Sequence, residues 1–241
     1  MNNEYRSMGG ALQESEASIL STVLSRVYLW MTGGLAVTAV AAWLTGNYLA
    51  GLSREQLASR LGMFWMLFVA EIVLVMVISW GINRLSGTAA GALFVLYSAL
   101  NGVSLSPILL VYTQSSIAIA FGITAATFGA MSLYGYVTKS DLTGFGKLAF
   151  MALIGFLIGT VVNMFWANST FYWLLSYLGV AIFVGLIAYD TQKIKALAYS
   201  LDDGYADGGT VNKAAVLGAL TLYLDFINLL LLLLRFFGRR K

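Results

Sequence analysis

Seven stretches of roughly 20 mostly apolar residues recur along this chain, each about as long as a helix needs to be to cross a bilayer core. They cover approximately 27–46, 62–82, 89–111, 117–137, 147–166, 171–190 and 214–235. Charge is too scarce for a water-facing surface: 59% of the 241 residues are hydrophobic and 10% are charged, where soluble domains carry about 45–50% and about 25%. Lipid offers the backbone no hydrogen-bond partner, so only helices or a closed barrel can span it. A barrel would show short alternating strands. The continuous apolar runs instead predict an all-α, polytopic, seven-helix bundle in the lipid bilayer. Residues 1–25 read as a polar tail, 26–236 as the transmembrane domain and 237–241 as a short basic tail. The first segment lacks the basic start and short apolar core of a secretory signal, so it reads as an uncleaved tail.

Loop charge orients the bundle. The N-terminal tail and the loops after spans 2, 4 and 6 hold Arg6, Arg26, Arg84, Lys139, Lys147, Lys193, Lys195 and Lys213, whereas the loops after spans 1, 3 and 5 hold only Arg54 and Arg60. By the positive-inside rule the N-terminus is expected in the cytoplasm. Arg235, Arg239, Arg240 and Lys241 then pose a conflict, because seven full crossings place that basic end outside. Either the seventh span is atypical or its segment does not fully cross. Gly87/Gly91 and Gly155/Gly159 are small-residue pairs that permit close helix contact, read as packing within the bundle.

The chain has no His and no Cys. That excludes disulfides, thiol nucleophiles, His-based catalysis and the usual zinc ligands. A net charge of +3 gives no case for nucleic acid. Chemistry near neutral pH falls to carboxylates, and three lie within the spans: Glu71, Asp190 and Asp225. An ionisable group at that depth costs about 2.5–3.5 kcal/mol, so it is expected to serve a function.

Asp225 lies on a face of the last span that also carries Gly218, Thr221, Asn228 and Arg235. The spacing is helical, and the rest of the helix is apolar. Such a stripe serves as a hydrogen-bond seam or as a proton or ion site. If the sixth helix runs to about Leu201 and the seventh starts near Val211, Asp190 and Asp225 differ in depth by roughly 5 Å and can face each other. Two carboxyls in a low-dielectric contact share a proton and titrate as a unit. That is a pH switch without histidine, which latches helices 6 and 7 when protonated. Once deprotonated it parts them or recruits a cation at Asp190 and Asp225. Arg84 can pair with one carboxylate or serve as an ordinary membrane-edge anchor. Glu71, turned about 140° from Arg84, reads either as a pore-lining acid or as a group held neutral against another helix. Asn101, Ser98 and Ser104 form a polar patch in span 3 ahead of Pro107, which frees a carbonyl and kinks the helix. Asn163 reads as structural. The run Asp202-Asp-Gly-Tyr-Ala-Asp-Gly-Gly lacks the closing Glu of a calcium-binding loop and reads as a flexible turn.

Three motifs carry a resemblance. Leu222-Tyr-Leu-Asp-Phe-Ile-Asn-Leu followed by Leu-Leu-Arg-Phe-Phe-Gly to Gly238, then Ala188-Tyr-Asp-Thr-Gln-Lys-Ile, and Asn101-Gly-Val-Ser-Leu-Ser-Pro-Ile resemble the last-, sixth- and third-helix motifs of the Bax inhibitor-1 (transmembrane Bax inhibitor motif, or lifeguard) family. The likeness spans nearly all of the chain beyond the first 20 residues. It implies a seven-helix bundle with the last helix central, and Asp190 and Asp225 as a paired-aspartate pH sensor. It also implies that the arginine contacting the pair lies at the end of helix 2, where Arg84 is the basic residue, although the spacing from Glu71 looks longer than in relatives. The resemblance further implies a pH-sensitive calcium leak channel without enzymatic activity or cofactor, moving Ca²⁺ in response to protons, in a bacterial inner membrane. The competing implication is a regulatory protein that binds a membrane-bound AAA protease or a stress or cell-death pathway. A proton-coupled exchanger is a further reading. An intramembrane aspartyl protease fits poorly, because it expects Gly-x-Gly-Asp where this chain has Leu222-Tyr-Leu-Asp.

Overall fold

The computed structural model describes residues 2–201 and 208–241, with side-chain surroundings for 19–60, 62–201 and 208–241. The described residues form helices α1 (Asn2–Ala50), α2 (Arg54–Ser59), α3 (Leu61–Gly81), α4 (Gly87–Leu105), α5 (Pro107–Val111), α6 (Gln114–Val137), α7 (Thr143–Trp166), α8 (Ser169–Ser200) and α9 (Gly208–Phe237). Seven segments among them are long and apolar enough to cross a membrane, and each of the seven expected stretches coincides with one. The helices outrun the apolar stretches. α8 keeps 32 residues in helix, about 48 Å at 1.5 Å per residue, because its polar last turns remain helical beyond the hydrocarbon. α1 likewise begins at Asn2, so the backbone of the polar N-terminal segment is helical.

Local chemistry sets the helix ends. Ser53 and Gln56 form a reciprocal capping box at α2, while Ser86 and Thr113 cap α4 and α6 through their hydroxyls. Pro107 cannot donate to Val103 O, the bond that would continue α4. Ser106 supplies both its backbone N–H and its hydroxyl to that carbonyl, the latter at 2.7 Å. The third span therefore breaks into α4 and α5 without an orphaned acceptor. α7 ends at Ala167 in the left-handed region (φ 50°). There Asn163 O accepts from Ala167 N–H and Asn163 Oδ1 from Asn168 N–H. Asn163 thus serves a helix end, in line with its structural reading.

The chain forms two compact units, Met1–Leu110 with Ile194–Leu220, and Val111–Lys193 with Thr221–Lys241. In the first, Ala90, Gly91, Phe94, Tyr97, Ser98, Asn101 and Gly102 make one continuous buried stripe on α4. α1 packs on α4, and Thr38 Oγ1 donates to Gly34 O and Ser98 O. Asn212 Nδ2 donates to Gly87 O and Trp30 Nε1 to Asn212 Oδ1, so Gly87 and Gly91 sit beneath Asn212 and Trp30 within the chain.

In the second unit, Ser116, Ala120, Thr124, Phe128 and Ser132 bury one face of α6 at four-residue spacing. The last helix has the largest buried share of its apolar window, 67%, against 11–50% for the other spans. α9 is continuous over 30 residues, about 45 Å, long enough for a full crossing. Its basic tail pairs with the segment entering α6: Thr113 N–H donates to Arg239 O, Lys241 N–H to Val111 O, and Arg239 N–H to Ser116 Oγ. The large apolar side chains that stay exposed, such as Trp80 and Phe165, suit a surface solvated by lipid rather than by water.

Candidate functional site

Five consecutive residues of α8 each meet a different neighbour in the second unit. Ala188 presents its carbonyl to Gly135 of α6, so close that any Cβ at 135 would collide with it. The Tyr189 ring fills the space left by Gly146 of α7. Thr191 and Ser132 hydroxyls are hydrogen-bonded at 3.0 Å, with Thr191 also bonded to Ile187 O. Gln192 accepts from Leu142 N–H and donates to Ser140 O, both at 2.9 Å, and so holds the α6–α7 connection. Between them Asp190 points to α9. Motif residues that carry no evident chemistry in the sequence therefore fix the azimuth of the one that does.

Asp190 and Asp225 are both buried, 8% and 5% exposed, and their side chains hydrogen-bond to each other. An ionised carboxylate only accepts hydrogen bonds, so this contact requires a proton on one partner. Asp225 Oδ2 is buried without a hydrogen-bond partner. Exposed Lys193, three residues along α8, exerts its charge on Asp190. On α9 the next residue, Phe226, meets Phe121 and Phe128 edge-on at 5.4 and 5.7 Å, closing the α6 side with aromatic surface. The arrangement can hold or release a proton between two helices. It offers only two carboxyls, whereas a resident Ca²⁺ takes six to eight oxygens, and no group of three or more acidic, His or Cys side chains occurs among the described residues.

Other positions on the α9 stripe divide in role. Asn228 donates to Leu224 O of its own helix at 2.8 Å, and Thr221 is half-buried. Arg235 bonds Ser176 Oγ at 3.3 Å and lies 4.9 Å over the Tyr172 ring. It is thus a cation seated on aromatic surface, a pairing the sequence reading does not anticipate.

The first unit holds a second buried carboxyl. Glu71 of α3, 8% exposed, accepts from Asn101 Nδ2 of α4 at 3.2 Å through Oε2, with Ser104 beside it. This joins two residues that the sequence reading treats separately; the signal was their comparable depth on consecutive helices. Arg84 stands exposed in the turn after α3. Asp202, Asp203 and Asp207 lie outside the described residues. At the connection into α7, the hydroxyl and backbone N–H of Thr143 hold the exposed Asp141 carboxyl below the usual carboxylate range.

Comparison with known proteins places the chain in a family of membrane proteins. Residues 20–241 match the profile of the family described as "Inhibitor of apoptosis-promoting Bax1". The chain is 49% identical over 222 residues to inner membrane protein YbhL of Escherichia coli K12, covering 92% of this chain and 93% of that protein. It is 44% identical over 229 residues to an uncharacterized protein of Borreliella burgdorferi, covering 95% and 97%. It is also 38% identical over 224 residues to an uncharacterized membrane protein of Streptococcus pyogenes, covering 91% and 93%.

Proposed function

Since this chain belongs to the Bax inhibitor-1 family, we propose that it is a pH-gated cation leak, for Ca²⁺, in a bacterial inner membrane. The observation that carries the reading is the buried hydrogen bond between Asp190 and Asp225. With a shared proton the pair latches α8 to α9. Loss of that proton leaves two adjacent carboxylates, which repel in a low-dielectric contact. The helices part, or a passing cation screens the pair. Ca²⁺ is the cargo here and not a resident ion, in keeping with a site of two carboxyls. Flux therefore rises as pH rises through the titration of the pair.

The similarity to an inner membrane protein of Escherichia coli supports inner-membrane placement. The loop charge bias supports a cytoplasmic N-terminus, and a continuous α9 then carries the basic tail to the other side. We assign Arg84, exposed at the end of the second span, a part in stabilising the closed state, as the family resemblance implies.

The test is Ca²⁺ flux by purified protein in liposomes over a pH series, with Asp190→Asn/Asp225→Asn alongside. Loss of the pH dependence in the double variant is expected. Unchanged flux and pH dependence overturn the sensor. Absence of flux from the wild type, together with co-purification of a membrane-bound AAA protease that depends on residues 1–25, favours the regulatory function instead.

A further inference from the structure

Glu71 is set up differently from the aspartates. One carboxyl oxygen, Oε2, accepts from the Asn101 amide, which donates whether the acid is charged or neutral. The other, Oε1, is buried without a hydrogen-bond partner, and so is Ser104 Oγ beside it. Buried polar atoms are almost always satisfied, so a pair of orphans side by side calls for an explanation. A hydroxyl fits both states of an acid by turning in place: it donates to an ionised oxygen and accepts from a protonated one.

We propose that Glu71, Asn101 and Ser104 form a second proton-binding site within the membrane, which loads and unloads at Glu71 Oε1 without parting α3 from α4. In the loaded state the Oε1 hydroxyl donates to Ser104 Oγ. In the unloaded state the Ser104 hydroxyl turns and donates to Oε1. Asn101 holds Oε2 throughout.

The groups that face Glu71 from α4 are Asn101 and Ser104, neither of which titrates. From the α2 side the charged groups are Arg54 and Glu55, in α2, and Arg60, at the N-cap of α3. Arg60 is engaged with the Tyr48 hydroxyl and ring and lies 11 residues from Glu71 in the sequence, roughly 16 Å along the helix. Arg26 is the charged residue of α1 among those with described side chains. Glu71 therefore exchanges its proton in a setting of hydrogen bonds alone.

Infrared difference spectroscopy on the full-length protein in lipid nanodiscs, titrated from about pH 4 to about pH 10 to span the carboxyl and perturbed-carboxyl range, reads the protonated-carboxyl band directly. It does so without depending on flux. With Asp190→Asn/Asp225→Asn, one titrating buried-carboxyl band is expected to survive, and Glu71→Gln added to that background removes it. Ser104→Ala, which removes the hydroxyl the proposal places on Oε1 in both states, and Asn101→Leu, which removes the amide on Oε2, each move the midpoint by about one pH unit or more. Cross-linking between cysteines introduced in α3 and α4 stays constant through the titration. The proposal fails if no buried-carboxyl band survives the aspartate replacements, if Glu71→Gln leaves the surviving band in place, or if neither Ser104→Ala nor Asn101→Leu moves it. Because the aspartates are absent from that background, the result stands apart from whether they gate flux.

Discussion

Two helical hairpins in this chain each bury a carboxyl against the partner helix, and they differ in what receives it. In α3–α4 the partner of Glu71 is the amide of Asn101; in α8–α9 the partner of Asp190 is another acid, Asp225. An amide donates to a carboxylate and to a carboxylic acid alike, so the first contact survives loss of the proton. Two carboxyls bond only while they share one. On the proposed reading, similar burial therefore gives one hairpin closed at every pH and another closed only when protonated. The surroundings follow the same division. The acid–acid pair is braced by the bonds of Thr191 and Gln192 and by the fit of Ala188 and Tyr189 against glycines, which on the proposed reading leaves the α8–α9 contact as the place that moves.

Exchanging the two kinds of contact should have the largest effect. Asp225→Asn turns the acid–acid pair into an acid–amide pair. Spin labels on α8 and α9 should report a separation that grows with pH in the wild type and stays short in the variant. The open-to-closed ratio at high pH should differ by roughly 10- to 100-fold, the equivalent of one hydrogen bond to a charged group. The reverse exchange, Asn101→Asp, should make thermal unfolding of the first unit sensitive to pH. The midpoint should fall as pH rises, by the equivalent of about 1–3 kcal/mol beyond the dependence that Glu71 alone gives the wild type.

The brace comes next. Gly135→Val forces a side chain into the Ala188 carbonyl and should destabilise the protein by about 1–3 kcal/mol, the usual cost of overpacking. Gly155→Ala, which meets nothing within 4 Å, should leave the unfolding midpoint in place. Gln192→Ala removes two bonds to the α6–α7 connection and should cost about 0.5–1.5 kcal/mol for each, read by chemical unfolding in detergent. The smallest effect belongs to Asp141. Its folded-state carboxyl titrates below its unfolded value, so its contribution to stability is present above the unfolded value and lost as pH falls through the folded one. Asp141→Ala should lower the unfolding midpoint slightly at neutral pH and not at acidic pH below that range.

The seven spans were legible because a bilayer imposes a length on apolar runs, and that length does not depend on tertiary detail. The helix ends were less so. Hydropathy marks where lipid begins, whereas α1 and α8 continue as helix into water, and the six-residue α2 carries no apolar run at all. Asp225 was legible as a charge in an otherwise greasy helix, and Asp190 through hairpin arithmetic. α9 starts at Gly208, ahead of the expected Val211, and the contact forms nonetheless. The brace around Asp190 was hidden because Gly135, Gly146, Ser132 and Gln192 are ordinary residues whose role depends on what faces them. The Glu71–Asn101 bond was hidden for a related reason: measuring Glu71 against Arg84 along one helix says nothing about the adjoining one. The basic C-terminal tail, at odds with the loop charge bias, is accommodated by backbone bonds to Val111 and Thr113 and a bond to the Ser116 hydroxyl, a pairing with no sequence signal.

The most direct test of the account is the initial rate of Ca²⁺ entry into liposomes, measured for the wild type and Asp225→Asn in parallel at an acidic and an alkaline pH. The account predicts a wild-type rate that rises by roughly tenfold or more with pH and an Asp225→Asn rate that stays at the acidic wild-type level at both. An Asp225→Asn protein that still responds to pH as the wild type does would contradict it.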